Sequence, residues 1–230
     1  MLWYKAWRET RLRVLLMFAV VIFILFQVHQ HVPLNRQNWA SLQLQFMWMI
    51  IPLSLAGSGV RAEAPFRPVK GLQGSMYFTL SLPVNRLRLL YVRSAVGLLE
   101  AAGLVAIGCC LAVLAFPGLR EQITMADGVA YALTVFVCGF SAFGLSTILA
   151  TFLDQQWQGM VAMATYFFAR SVTFGLNGDP TSPLARFDFF RAMGTATTLH
   201  SMPWVAMATS AAVGLACYLA AMKVELSRQY

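Results

Sequence analysis

The sequence predicts an all-helical integral membrane protein with six transmembrane helices and both termini on the cytoplasmic side. Three observations predict it. Hydrophobic residues make up 59% of the chain and charged residues 11%, a balance that cannot be arranged as a soluble core inside a solvated shell. A helix needs roughly 20 apolar residues to cross the hydrocarbon, and six runs approach that, at 13–29, 39–57, 92–116, 128–152, 158–176 and 203–222. With the N-terminus inside, the cytoplasmic segments carry twelve basic residues: Lys5, Arg8, Arg11, Arg13, Arg61, Arg67, Lys70, Arg86, Arg88, Arg93, Lys223 and Arg228. The outer loops carry four, Arg36, Arg120, Arg186 and Arg191, and this bias sets the orientation of a multi-span chain. The net charge of +8 is therefore a topology signal rather than a nucleic-acid footprint. Few residues remain for a soluble domain, so 1–230 reads as one transmembrane domain.

The elements follow in order. Over residues 1–12, Leu2, Trp3, Ala6, Trp7 and Thr10 fall on one helical arc while Lys5, Arg8 and Glu9 point away, the pattern of a helix lying in the headgroup layer with its tryptophans at the interface. The first apolar run is followed by HQHVPLNRQN, which offers no small-residue cleavage site and so reads as a retained span. After the second run, residues 58–85 form the longest inner connection, where Pro65 and Pro68 keep the chain extended before Gly71 and Gly74. Ser75 can cap a helix of about two turns, MYFTLSL, which Pro83 stops. Asn85 can cap the next helix, whose Arg86, Arg88 and Arg93 would meet lipid phosphates as it enters the bilayer. The short helix carries Met76, Tyr77, Phe78, Leu80 and Leu82, too apolar for a solvated loop, and must bury against a partner, its own bundle or the lipid surface.

The stretch from Gly71 to Glu100, with Gly74, Ser75, Leu80, Ser81, Leu82, Pro83, Val84 and Arg86 in the motif positions, resembles the segment joining the second and third spans of permease subunits in ATP-binding-cassette (ABC) transporters of the type-2 exporter family. The resemblance implies that residues 71–84 are a coupling helix seated in a groove of a separate ATPase subunit, with Ser75, Met76, Tyr77, Phe78, Leu80, Leu82, Pro83 and Arg86 at the contact. It also implies an N-terminal interfacial helix, and short re-entrant helices between the last two spans. Tyr77 departs from the pattern, since many members carry an acidic residue there. No Gly-x-x-x-x-Gly-Lys-Ser/Thr loop occurs, so the chain is expected not to be an enzyme and to hold no cofactor; ATP and magnesium would sit on the partner. The four cysteines, Cys109, Cys110, Cys138 and Cys217, all lie within spans without CxxC spacing and read as small packing residues rather than disulfides or a zinc site.

The outer connection 177–203 is too long for a turn. Gly178, Pro180 and Pro183 break structure, while Leu184, Phe187, Phe190 and Arg191 mark a short amphipathic helix, either interfacial or re-entrant. Two ionisable residues fall inside spans, where each is costly and a functional suspect. Glu100, about 10 Å deeper than Arg93, is either hydrogen-bonded between helices or lines a translocation path. Arg170, near the outer boundary, either snorkels or pairs with Asp179 or Asp188. His29, His31 and His200 are all expected at the outer side, where neutral imidazoles brought together can hold a transition metal but ordinarily bond to water and headgroups.

A second class of function has to be weighed. Gly139-Phe140-Ser141-Ala142 in the fourth run and His200 before the sixth resemble elements of rhomboid intramembrane serine proteases. Ser141 is expected about 20 Å below the outer start of its span, out of hydrogen-bond reach of a surface imidazole. A non-transporting scaffold or sensor on a permease fold is the other alternative. The expectation carried forward is a permease that forms half of a translocation path in the inner membrane. Two copies, or one with a homologous subunit, would face each other above two ATPase subunits and export a cargo the sequence does not name.

Overall fold

The computed structural model describes residues 2–31, 42–56, 86–117, 121, 123–153, 155–176, 183–194 and 201–227, which are helical almost throughout and contain no strand. Among the described residues the α-helices are, in chain order, α1 (Leu2–His31), α2 (Leu42–Leu55), α3 (Arg86–Ala115), α4 (Met125–Phe152), α5 (Gln155–Leu176), α6 (Phe189–Gly194) and α7 (Trp204–Ser227), with a 3-10 turn at Pro183–Phe187 ahead of α6. Four are long and apolar enough to cross a membrane, in the segments Thr10–Gln30, Leu90–Ala115, Met125–Phe152 and Trp204–Val224. The chain is a multi-pass membrane protein. The 14 residues of α2 are about 21 Å long at 1.5 Å per residue, and α5 dilutes its apolar sequence with Gln155, Gln156, Gln158 and Arg170. These two are the runs that length and apolarity do not select.

Residues 1–12 are not set apart as a separate interfacial helix. From Leu2 the backbone continues unbroken into the first span as one 30-residue helix, because no glycine or proline interrupts residues 2–13 and the Thr10 hydroxyl bonds back to the Ala6 and Trp7 carbonyls instead of capping a new helix. The expected arc is also divided. Ala6 is buried against Val92 and Val96 of α3 and Thr10 is buried, while Trp3, Tyr4 and Trp7 are exposed.

Contacts between the helices fix the direction of each long one. Thr10 meets Glu100, Val21 lies against Gly108 and His29 packs on Phe116, so α1 and α3 run the same way. Trp48 lies on Gly108 and the Leu55 carbonyl on Gly97, so α2 opposes α3. Pro52 meets Gly139 and Leu53 meets Ser146, making α4 parallel to α2. Gln158 meets Ser146 and Tyr166 meets Ser141, so α5 opposes α4. Thr134 with Met207 and Ser141 with Ser210 make α7 parallel to α4. The six long helices thus alternate, and the start of α1 and the end of α7 lie at one end of the bundle. That end also holds the end of α2 and the start of α3.

The core is centred on α4, 56% of whose apolar window is buried against 17% for that of α1. Thr124 caps α4 by accepting from Asp127 N at 3.2 Å and donating to Asp127 Oδ2 at 2.8 Å. The helix packs most extensively on α7, where glycines set the distance: a Cβ on Gly144 would lie 2.7 Å from Gly214 Cα, and one on Gly214 would lie 2.5 Å from the Phe140 carbonyl oxygen. Only missing side chains permit such backbone contact. One apolar cluster joins α1, α2 and α3 to Tyr131 and Val135, and a second joins α2, α4, α5, α6 and α7. Between Trp48, Pro52, Val135, Gly139 and Phe143 the interior leaves about 10 Å³, the room of one water.

Candidate functional site

The end of α2 is the most heavily tied point in the bundle. A helix leaves its last four carbonyls without intrahelical partners, and here they end inside the protein, where unpaired polar groups are costly. Three neighbouring helices cover them. The Leu53 carbonyl accepts from Ser146 Oγ of α4 at 2.8 Å, and the Ala56 carbonyl, just past the helix, accepts from Gln158 Nε2 of α5 at 3.0 Å. At Leu55 the carbonyl faces Gly97 of α3, so near that a Cβ there would come within 2.7 Å.

Gln158 is 5% exposed, and its Nε2 also lies 3.0 Å from both the carbonyl and the hydroxyl oxygen of Ser146. The acceptors around it call for a donor, and the amide supplies two protons, enough for two of them at a time. Helical spacing places Gln158 there, since it shares a face of α5 with buried Ala162 and Tyr166. Ser146 belongs to a buried row of small residues on α4, Gly139, Ala142, Ser146 and Ala150.

A second tie joins α1 to α3. Thr10 Oγ1 donates to Glu100 Oε1, and Arg13, one turn further along α1, is close enough to act on the carboxylate electrostatically. Glu100 is therefore held between two helices. Arg93 differs from expectation. It is only 8% exposed because it shares a face of α3 with Gly97 and Glu100, and that face is packed; Arg88, on another face, is exposed as a headgroup-facing arginine would be.

The third polar region lies toward the opposite end. Ser210 Oγ donates to the Cys138 carbonyl at 2.7 Å and accepts from Ser141 N at 3.3 Å. Ser141 Oγ is 3.1 Å from the same carbonyl and 3.4 Å from Tyr166 OH. The Tyr166 ring meets Phe190 edge-on at 4.8 Å, and Tyr131 OH donates to the Met193 carbonyl at 3.3 Å. With Phe190, Ala192 and Met193 all buried, α6 is packed against the bundle. Asp188 starts the helix, its Oδ1 accepting from Phe190 N at 3.0 Å and Arg191 N at 3.2 Å. Arg170 and Asp188 are both within electrostatic reach of Tyr166.

The remaining expected site residues divide simply. Ser75, Met76, Tyr77, Phe78, Leu80, Leu82, Pro83 and His200 lie outside the described residues; Arg86 is the first residue of α3 and His31 the last of α1. His29 is exposed, its ring 5.2 Å from that of Phe116. Among the described residues, no group of three His, Cys, Asp or Glu is placed to hold a metal. Ser141 has Tyr166 beside it where a serine protease needs an imidazole. Sequence reasoning missed Gln158 and took Ser146 only as one of the small residues, with Gly139 and Gly144, that allow close helix packing; the available signal for Gln158 was an uncharged polar side chain at the start of an apolar run, in register with Ala162 and Tyr166. No protein-family model, no curated protein and no solved structure matches the chain.

Proposed function

We propose that this chain is the membrane-spanning permease half of an ABC exporter of the inner membrane, driven by separate ATPase subunits that dock on residues 71–84. The observation that carries the reading is the alternation of the helices. It brings the basic start of α1, the two helix ends that flank residues 57–85, and Lys223 to one end of the bundle, the end that the Lys/Arg bias assigns to the cytoplasm. The apolar segment MYFTLSL falls in sequence between those two helix ends, and so apolar a segment calls for a partner to cover it. The tight interior between α2, α3 and α4 leaves about 10 Å³, so a cargo path runs along a face shared with a second permease copy. Alternating access then follows from ATP-driven closure of two ATPases beneath the pair.

The test is a paired measurement on Phe78→Ala/Leu80→Ala. Each large apolar side chain contributes roughly 1.5–3 kcal/mol when fully buried, so losing both weakens ATPase association by about a hundredfold or more while the melting temperature in detergent stays near that of the wild type. Lowered stability with unchanged ATPase association would show that the segment packs on its own bundle, the arrangement expected of a scaffold or sensor.

A further inference from the structure

We infer that Gln158 is the positioning residue through which displacement of residues 57–85 reaches α4 and α5, by holding the end of α2 to both. The inference rests on the permease reading and goes beyond it by naming where the force enters the bundle. Three observations meet at this point. Ala56 is the last described residue before 57–85, and its carbonyl accepts from Gln158 Nε2 at 3.0 Å. The same nitrogen is 3.0 Å from the Ser146 carbonyl and hydroxyl, so one side chain of α5 bridges α2 and α4. Ser146 in turn bonds to the Leu53 carbonyl at 2.8 Å.

Without these bonds, a push on 57–85 would meet a helix of 14 residues, the shortest of the six long ones, with Pro52 in its last turn. Proline removes one backbone hydrogen bond and lets a helix bend, so an unheld α2 would flex at Pro52 and dissipate the displacement. The buried side-chain bonds lie beyond that weak point, between Pro52 and the link, and pass the load sideways into two longer helices. Tyr166, two turns beyond Gln158 on the same face of α5, carries contacts to Ser141 and Phe190. Movement of α5 therefore reaches the opposite end of the bundle, where α6 is seated.

The experiment uses the full chain co-purified with its ATPase in lipid nanodiscs, with spin labels on two exposed positions, Ala19 of α1 and Ser171 of α5, and with ATP and magnesium as the driving ligand. In the wild type the distance between the labels changes on ATP addition. Gln158→Leu keeps ATPase association and a near-normal melting temperature but loses the ATP-dependent change by about fivefold or more, the lower end of coupling between sites. If Gln158→Leu does not fold, Ser146→Ala, which removes the hydroxyl on the Leu53 carbonyl and suits a helix, is read by the same criteria. An ATP-dependent change of wild-type size in the variant overturns the role of Gln158 and leaves the permease reading standing. A wild-type chain that captures no ATPase, or shows no change with ATP, overturns both.

Discussion

α1 and α4 are both long apolar helices, yet the bundle holds them by different means. Along the α4–α7 seam, backbone lies on backbone at Gly144 and Gly214 and serine hydroxyls bridge the two helices at Ser141 and Ser210. Along α1 and α3 the contact is made by side chains, among them Thr10 and Glu100, which are hydrogen-bonded. Toward the far end the pair opens into a groove of about 290 Å³ lined by Ile22, Leu25, Phe26, His29, Leu111 and Ala115. Lipid gives little hydrophobic drive for one apolar helix to join another, so close packing and polar bonds decide which helices are fixed. By that measure α4 and α7 are the most tightly joined pair, and α1 is a more peripheral helix that buries Val21, Leu25 and Val28 but leaves most of its apolar window exposed.

The largest effect that would break this contrast is at the seam. Gly144→Leu forces the two backbones apart and costs about 3 kcal/mol or more, seen as loss of the monodisperse species or a steep fall in melting temperature. Gly103→Leu, at a site with nothing within 4 Å of an added Cβ, changes stability by about 0.5 kcal/mol or less. Equal melting for the two would remove the distinction.

Thr10→Val ranks second. It deletes the hydroxyl bond to Glu100 at a cost of about 1 kcal/mol and should speed hydrogen exchange in the first turns of α1, leaving the amides of α4 protected. Faster exchange in both helices would mean that α1 and α4 share one cooperative unit. His29→Ala is the smallest change. The ring lies at the groove edge against Phe116, and its loss should shift stability by about 0.5 kcal/mol or less, a value that a larger fall in melting temperature would contradict.

The apolar runs coincide with long helices among the described residues, because a run of apolar residues is a local property of the chain, although four of those helices are long and apolar enough to cross a membrane. Hydropathy did not separate core from periphery: the small residues Gly139, Gly144 and Ser146 mark the 128–152 run as able to pack closely, but only the pairing of Gly144 with Gly214 shows which helix it packs on. Pairing of that kind depends on residues some 70 positions apart. The same limit hid the end of α2, where Leu53, Ser146 and Gln158 come from three different helices. Glu100 was legible as a costly intramembrane carboxylate, but its partner was not, since Thr10 reads from sequence as part of an interfacial arc. Arg93 was misplaced for a related reason: its charge points to the headgroups, while its helical register with Gly97 and Glu100 points inward.

The parallel pairing of α4 and α7 has a consequence for how the chain is made. α4 leaves the ribosome before α5, α6 and α7, and its small-residue face stays unfilled until the last of these is inserted. During that interval Gly144, Ser141 and the Cys138 carbonyl lack their native partners, so the nascent bundle presents a polar, notched surface inside the membrane. Synthesis that stalls between α5 and α7 leaves that surface without its native cover.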